Sequence, residues 1–209
     1  MTAFCIFGQD NDSYAFRVYP ALTEHQRNYQ TLVPDMSGDT RPGVQRCEAC
    51  GELLNKWDDP LTGLVVKKRK YDISSTYDGV VVVSMRFKTT YETALLSGLS
   101  FRQLPDDPAF FAINAGRIVE FDAERRNTRF VKPCNICNHF ESVIGATPVY
   151  LKNGVTIGIR EFVRTDLEFG SDDEKQPLIL CGGGAADTLR SAKLKGLDLI
   201  AIEDAVSVG

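Results

Sequence analysis

The sequence predicts an α+β (mixed α/β) fold in which two strand-helix-strand units stand beside a small subdomain organised by cysteines. Three observations carry this. Residues 80–83, four valines, pass into a helix-compatible stretch at 86–96, then Gly98 and a further apolar run at 99–104. Residues 178–181, 185–195, Gly196 and 197–202 follow the same order. Four of the six cysteines fall in two C-x-x-C pairs outside both units.

Taken in order, the first 40 residues scatter aromatics (Phe4, Phe7, Tyr14, Phe16, Tyr19) among turn residues and read as strand, turn, strand. A short helix at 21–30 ends where Pro34 and Gly38 break the pattern. After the first cysteine pair, 63–66 and 67–73 read as a strand region that leads into the Tyr77-Asp78-Gly79 turn. The stretches 80–104 and 178–202 read as a weak internal repeat, with chance recurrence of a common pattern as the alternative. The insert between them holds the second cysteine pair, strand-like runs at 148–151 and 155–161, and an acidic loop. The expectation is one α+β domain over 1–209, with cysteine-bearing segments near 41–56 and 130–142.

A chain of 209 residues can bury about 70% of its surface on folding, enough for a real core. Its 43% apolar and 25% charged composition excludes disordered, collagen-like and coiled-coil classes. A net charge of −4 argues against nucleic acid as the main partner, because neutralising phosphates requires a clustered positive face. The one basic run, Lys67, Lys68, Arg69 and Lys70, is flanked by Asp58, Asp59 and Asp72 and reads as a solvated face. The start carries no positive region before an apolar run, and the longest aliphatic run is far short of a bilayer span. A soluble cytoplasmic protein without a membrane partner is expected.

In that reducing setting two tight cysteine pairs point to a thiolate metal site and not to a disulfide framework. A C-x-x-C turn brings two sulfurs to one side at the spacing that tetrahedral zinc requires, and two such turns complete the tetrahedron. Cys47, Cys50, Cys134 and Cys137 are therefore the predicted ligands of one structural Zn2+. Gly51 and Asn138 follow the two pairs, and both residue types tolerate the positive φ that turns N–H groups toward sulfur. Turn residues Pro42, Gly43 and Pro133 place both knuckles at the tips of short hairpins. The 83 intervening residues mean that the metal would clip distant segments together. Four thiolates leave no open coordination position, so hydrolytic zinc chemistry is not expected. His139 is the alternative ligand, and thiol redox switching the alternative use of the pairs.

Of the remaining chemistry, Cys181 followed by Gly182, Gly183 and Gly184 opens a helix after a strand, where free N–H groups can bind an anion or activate a thiol. The phosphate-loop Lys and the dinucleotide spacing are absent, so it reads as a plain strand-to-helix turn. His25 and His139 are the only histidines, and His25 lies in a polar segment. Asp166, Glu168, Asp172, Asp173 and Glu174 form an acidic surface suited to a basic protein partner.

The pattern Cys47-Glu48-Ala49-Cys50-Gly51 with Cys134-Asn135-Ile136-Cys137 resembles the double-CXXCG motif proteins, a bacterial family. The Tyr77-Asp78-Gly79 turn, the 99–104 run and the 164–170 segment resemble it as well, and Asn138 departs from the second motif glycine. The resemblance implies an immunity protein, a non-enzymatic binder that neutralises a cognate toxin encoded beside it. The rival expectations are an enzyme using Cys181 and a zinc-knuckle nucleic-acid binder using the 67–70 run.

Overall fold

The computed structural model describes residues 2–16 and 43–208, so the expected helix at 21–30 and His25 lie outside the described residues. The fold is mostly β, with 42% of the described residues in strands and 14% in helices. This corrects the balanced α+β expectation. The described elements are β1 (Thr2–Asp10), β2 (Ile73–Ser75), β3 (Val81–Ser84), α1 (Met85–Thr93), β4 (Leu99–Leu104), β5 (Asp107–Ala115), β6 (Ile118–Val119) and α2 (Ala123–Arg126). They continue as β7 (Arg129–Pro133), β8 (Phe140–Ile144), β9 (Thr156–Gly158), β10 (Phe162–Ser171), β11 (Gln176–Cys181), α3 (Gly183–Ser191) and β12 (Leu197–Val208), with one 3-10 turn at Asp172–Glu174.

The helices are shorter than the sequence pattern suggests. Leu95 and Lys193 take positive φ of 52° and 50°, stopping α1 and α3 within two residues of their last helical turn. Conversely, 107–115, 129–133, 140–144 and 162–171 all pair as strands. The strands that form the core bury both faces, so their sequences lack the alternation that marks a half-buried strand. In β5, Phe111 and Ile113 enter one core cluster, whereas Phe110 and Ala112 enter another. In β11, Ile179 and Cys181 face the first cluster, Leu178 and Leu180 a third.

The twelve strands among the described residues connect into one mixed sheet, running β4-β5-β3-β2-β1-β11-β10-β8-β7, with β12 joining β1 and β9, and β6 joining β10. At its centre, β1 is antiparallel to strands on both edges, Cys5 standing opposite Leu180 of β11 and Ile200 of β12. The two strand-helix-strand units share one arrangement. β3 and β4 flank antiparallel β5, and β11 and β12 flank antiparallel β1. Their helices meet in the same core cluster, where Phe87 and Tyr91 of α1 join Ala185, Ala186 and Leu189 of α3. Gly98 makes the first unit's return possible: at φ 96° a Cβ there would stand 2.1 Å from the Phe162 carbonyl oxygen. Among the described residues, no helix is long and apolar enough to cross a membrane.

Candidate metal centre

Two hairpin tips form the centre. The first is closed by an antiparallel bridge between Arg46 and Leu53, the second by the β7/β8 pair, in which Pro133 stands opposite Phe140. Both turns use the same backbone bonds. The N–H of Gly51 donates to the Cys47 carbonyl at 2.8 Å and that of Asn138 to the Cys134 carbonyl at 2.9 Å. Gly51 and Asn138 take φ of 78° and 61°, the left-handed conformation expected after each pair.

The sulfurs of Cys47, Cys50, Cys134 and Cys137 lie within 4.8 Å of one another. Two close pairs cross between knuckles: Cys47 Sγ to Cys134 Sγ is 3.8 Å and Cys50 Sγ to Cys137 Sγ is 3.6 Å. A tetrahedral zinc with bonds of about 2.3 Å separates its sulfurs by about 3.8 Å. The donor set thus fits a structural zinc and can hold a metal ion. All four are free thiols. Cys47 is buried, Cys134 and Cys137 half-buried, and Cys50 exposed.

The thiols have unequal acidities. Backbone N–H groups of Cys137 and Ile136 donate to the Cys134 sulfur and bring its thiol down to about 6. At Cys50 the Glu52 N–H favours the thiolate, but desolvation and bonds with the other three sulfurs outweigh it and push the thiol up to about 12. Desolvation also raises Cys137. One thiolate forms readily and opposes the others, a repulsion that a bound dication reverses.

Side chains that carried no signal in the sequence hold the knuckles together. Arg46 makes a bidentate ion pair with Asp173, at 2.8 and 2.7 Å, and also donates to the Gly51 carbonyl at 2.6 Å. Lys175 pairs with Glu52 of the first hairpin at 2.6 Å and donates to the Asp172 carbonyl and, at 3.4 Å, to that of Glu141 on β8. Buried Lys56 donates to the Asp173 carbonyl at 2.9 Å and to that of Lys175. The 172–175 segment therefore grips both hairpins through buried, charge-assisted bonds. Each partner lies more than 30 residues from its mate in sequence, apart from Arg46 with Gly51 and Lys175 with Asp172, so no local pattern could have revealed the set.

The acidic residues read as a partner surface are placed differently from one another. Asp173 is buried against Arg46. The Asp166 carboxylate accepts the Phe121 N–H at 2.8 Å, and Glu168 accepts the indole N–H of Trp57 at 2.7 Å. Asp172 and Glu174 are exposed. The His139 carbonyl accepts the Cys134 N–H, but its side chain is exposed and outside the sulfur group.

Cys181 is fully buried, and burial pushes its thiol up to about 12. The glycines that follow accommodate packing. A Cβ on Gly182 would stand 2.1 Å from the Gly158 carbonyl oxygen, and the N–H groups of Gly182 and Ala185 donate to the Glu161 and Ile159 carbonyls. In the basic run, Lys68 pairs with Asp12 at 2.8 Å and Arg69 with Asp107. No protein-family model matches the chain, and no curated protein matches it.

Proposed function

We propose that the four cysteines hold one zinc ion as a structural clip and that the protein is a non-enzymatic cytoplasmic binding protein, an immunity protein that neutralises a cognate toxin. The observation that supports the metal is the crossed sulfur geometry, 3.6 and 3.8 Å between knuckles, which matches tetrahedral tetrathiolate coordination with no position left for substrate. The binding role draws on the double-CXXCG resemblance of residues 47–51 and 134–137. It also draws on the state of Cys181, an unactivated buried thiol at a closed glycine turn. The exposed acids Asp172 and Glu174 and the net charge of −4 suit a basic partner.

Elemental analysis of protein purified under reducing, chelator-free conditions tests the clip: one zinc per chain is expected, lost in Cys50→Ser/Cys137→Ser. Co-expression with the toxin encoded beside it tests the role, with restored growth expected and continued killing contrary to it. A thiol-reactive probe tests the non-enzymatic reading. Cys181 should react in the native protein no faster than Cys5, which is likewise fully buried.

A further inference from the structure

The two strand-helix-strand units end in unlike edges. In the first, the Gly116 N–H donates to the Gly98 carbonyl at 3.0 Å, and in the second the Gln9 N–H donates to the Gly196 carbonyl at 3.2 Å. An antiparallel ladder alternates bonded and unbonded pairs, so these two bonds set the same phase in both units. Leu99 of β4, and Leu197, Leu199 and Ala201 of β12, therefore turn their backbone N–H and C=O groups away from the strand they pair with. On that outer side β12 meets no strand until Val206 reaches β9.

In the first unit Tyr91 closes the edge. Its hydroxyl accepts the Leu99 N–H at 3.0 Å and donates to the Leu99 carbonyl at 3.5 Å, while its ring packs on Phe101 and Phe162. Tyr91 stands seven residues before Gly98, and seven before Gly196 stands Leu189, which has no hydroxyl to offer. There a groove of about 310 Å³ lies open between α3 and the edge of β12. Half-buried Leu197 and Leu199 form its apolar wall, and exposed Arg190 and Lys193 stand on the helix side. Lys193 has no ion pair among the described residues. Arg190 lies over the Phe4 ring at 4.3 Å, with exposed Asp187 at 3.3 Å. Asp198, at the rim, alternates to the opposite face of β12 from Leu197 and Leu199.

We propose that this edge receives an extended acidic segment of a partner protein, which adds as a further strand beside β12, sets an apolar side chain against Leu197 and Leu199, and turns carboxylates toward Lys193 and Arg190. Strand addition supplies the bonds that the outward backbone groups lack, and alternate side chains of the added strand share the face that α3 overlooks. A second copy of β12 matches less well: its Asp198 falls on the face away from α3, so self-pairing leaves the two cations unmet. The contact is separate from the toxin-neutralising role, since it uses neither the cysteines nor the acids at 166–174.

The test titrates the peptide Glu-Thr-Val-Thr-Glu-Thr, acetylated and amidated at its ends, into the zinc-loaded full chain and follows backbone amide resonances. Its alternation puts valine between two carboxylates on one face, whichever way the strand runs. A dissociation constant on the order of 0.1 mM is expected, with saturable shifts at 190–201 and slowed hydrogen exchange at Leu199 and Ala201. Glutamine in place of both glutamates should weaken binding about fivefold and Lys193→Gln about threefold, the worth of exposed ion pairs. Ala201→Pro removes only an N–H that faces away from β1, so it should keep the far-UV spectrum and abolish binding. Methylating the peptide nitrogen of the valine, or those of its two neighbours, should abolish binding in one case and spare it in the other, because only alternate N–H groups face β12. Absent or scattered shifts, or binding by both methylated peptides, overturn strand addition. A glutamine peptide that binds as tightly overturns the acidic partner. A dimer of the free protein that Ala201→Pro splits assigns the edge to a second copy and overturns the proposal likewise.

Discussion

Removing the metal is the perturbation with the largest expected effect. Cys47 and Cys134 are 87 positions apart, and a cross-link closing a loop of that length restricts the unfolded chain by about 4.5 kcal/mol on the chain-entropy scale. This holds if the metal stays on the unfolded thiolates. If it leaves on unfolding, the gain is mass action, about 1.4 kcal/mol for each tenfold excess of free metal over its dissociation constant. Urea unfolding at a series of buffered free zinc concentrations distinguishes the two, since only the second gives a midpoint that climbs steadily with metal. With an m value of about 2 kcal/mol per molar urea, loss of about 4.5 kcal/mol moves the midpoint down by about 2 M. Coincident curves for zinc-loaded and chelated protein would refute the reasoning, because then no metal is coupled to folding through these cysteines.

Three further outcomes are expected. Asp173→Ala strands the Arg46 guanidinium in a half-buried site and should cost about 3 kcal/mol, read as a lower urea midpoint together with weaker zinc retention against a chelator. Hydrogen peroxide added to metal-free protein should close Cys47–Cys134 and Cys50–Cys137 disulfides, identified by peptide mapping without reduction; disulfides within each C-x-x-C pair would contradict the 3.8 and 3.6 Å cross-knuckle geometry. Burial lowers the Lys56 ammonium from its usual 10.5 to about 8. Between those values the unfolded chain binds more protons than the native one, so this residue's contribution to stability grows as pH rises through the window. The urea-midpoint difference between wild type and Lys56→Met should therefore shift in favour of wild type from pH 8 to 10.5.

The metal centre was legible because its chemistry is local. A C-x-x-C turn followed by Gly51 or Asn138 announces both the sulfur spacing and the left-handed residue, and both are found. The return of each strand-helix-strand unit at Gly98 and Gly196 was equally local, since each glycine takes positive φ. The balance of the fold was not legible. Strands such as Asp107–Ala115, with Phe110, Phe111, Ala112 and Ile113 buried in succession, show neither period, and only pairing across the sheet decides them. The stretch 67–72 was expected to extend a strand, but Lys68, Arg69 and Asp72 hold ion pairs there and the ladder starts only at Ile73. Arg46, Lys56 and Lys175 look like ordinary surface cations until distant residues surround them.

The position of β1 bears on the order in which the molecule comes together. Both of its long neighbours, β11 and β12, come from the last stretch of the described chain, whereas the two knuckles have already been made by Cys137. During synthesis residues 4–8 of β1 must wait for their partners until β11 and β12 have been made, with only Gln9 and Asp10 met earlier, by β2. The cysteine hairpins need no such wait. A metal captured by them would join residues 47 and 134 while most of the central strand is still unpaired, shortening the search that the late strands must complete.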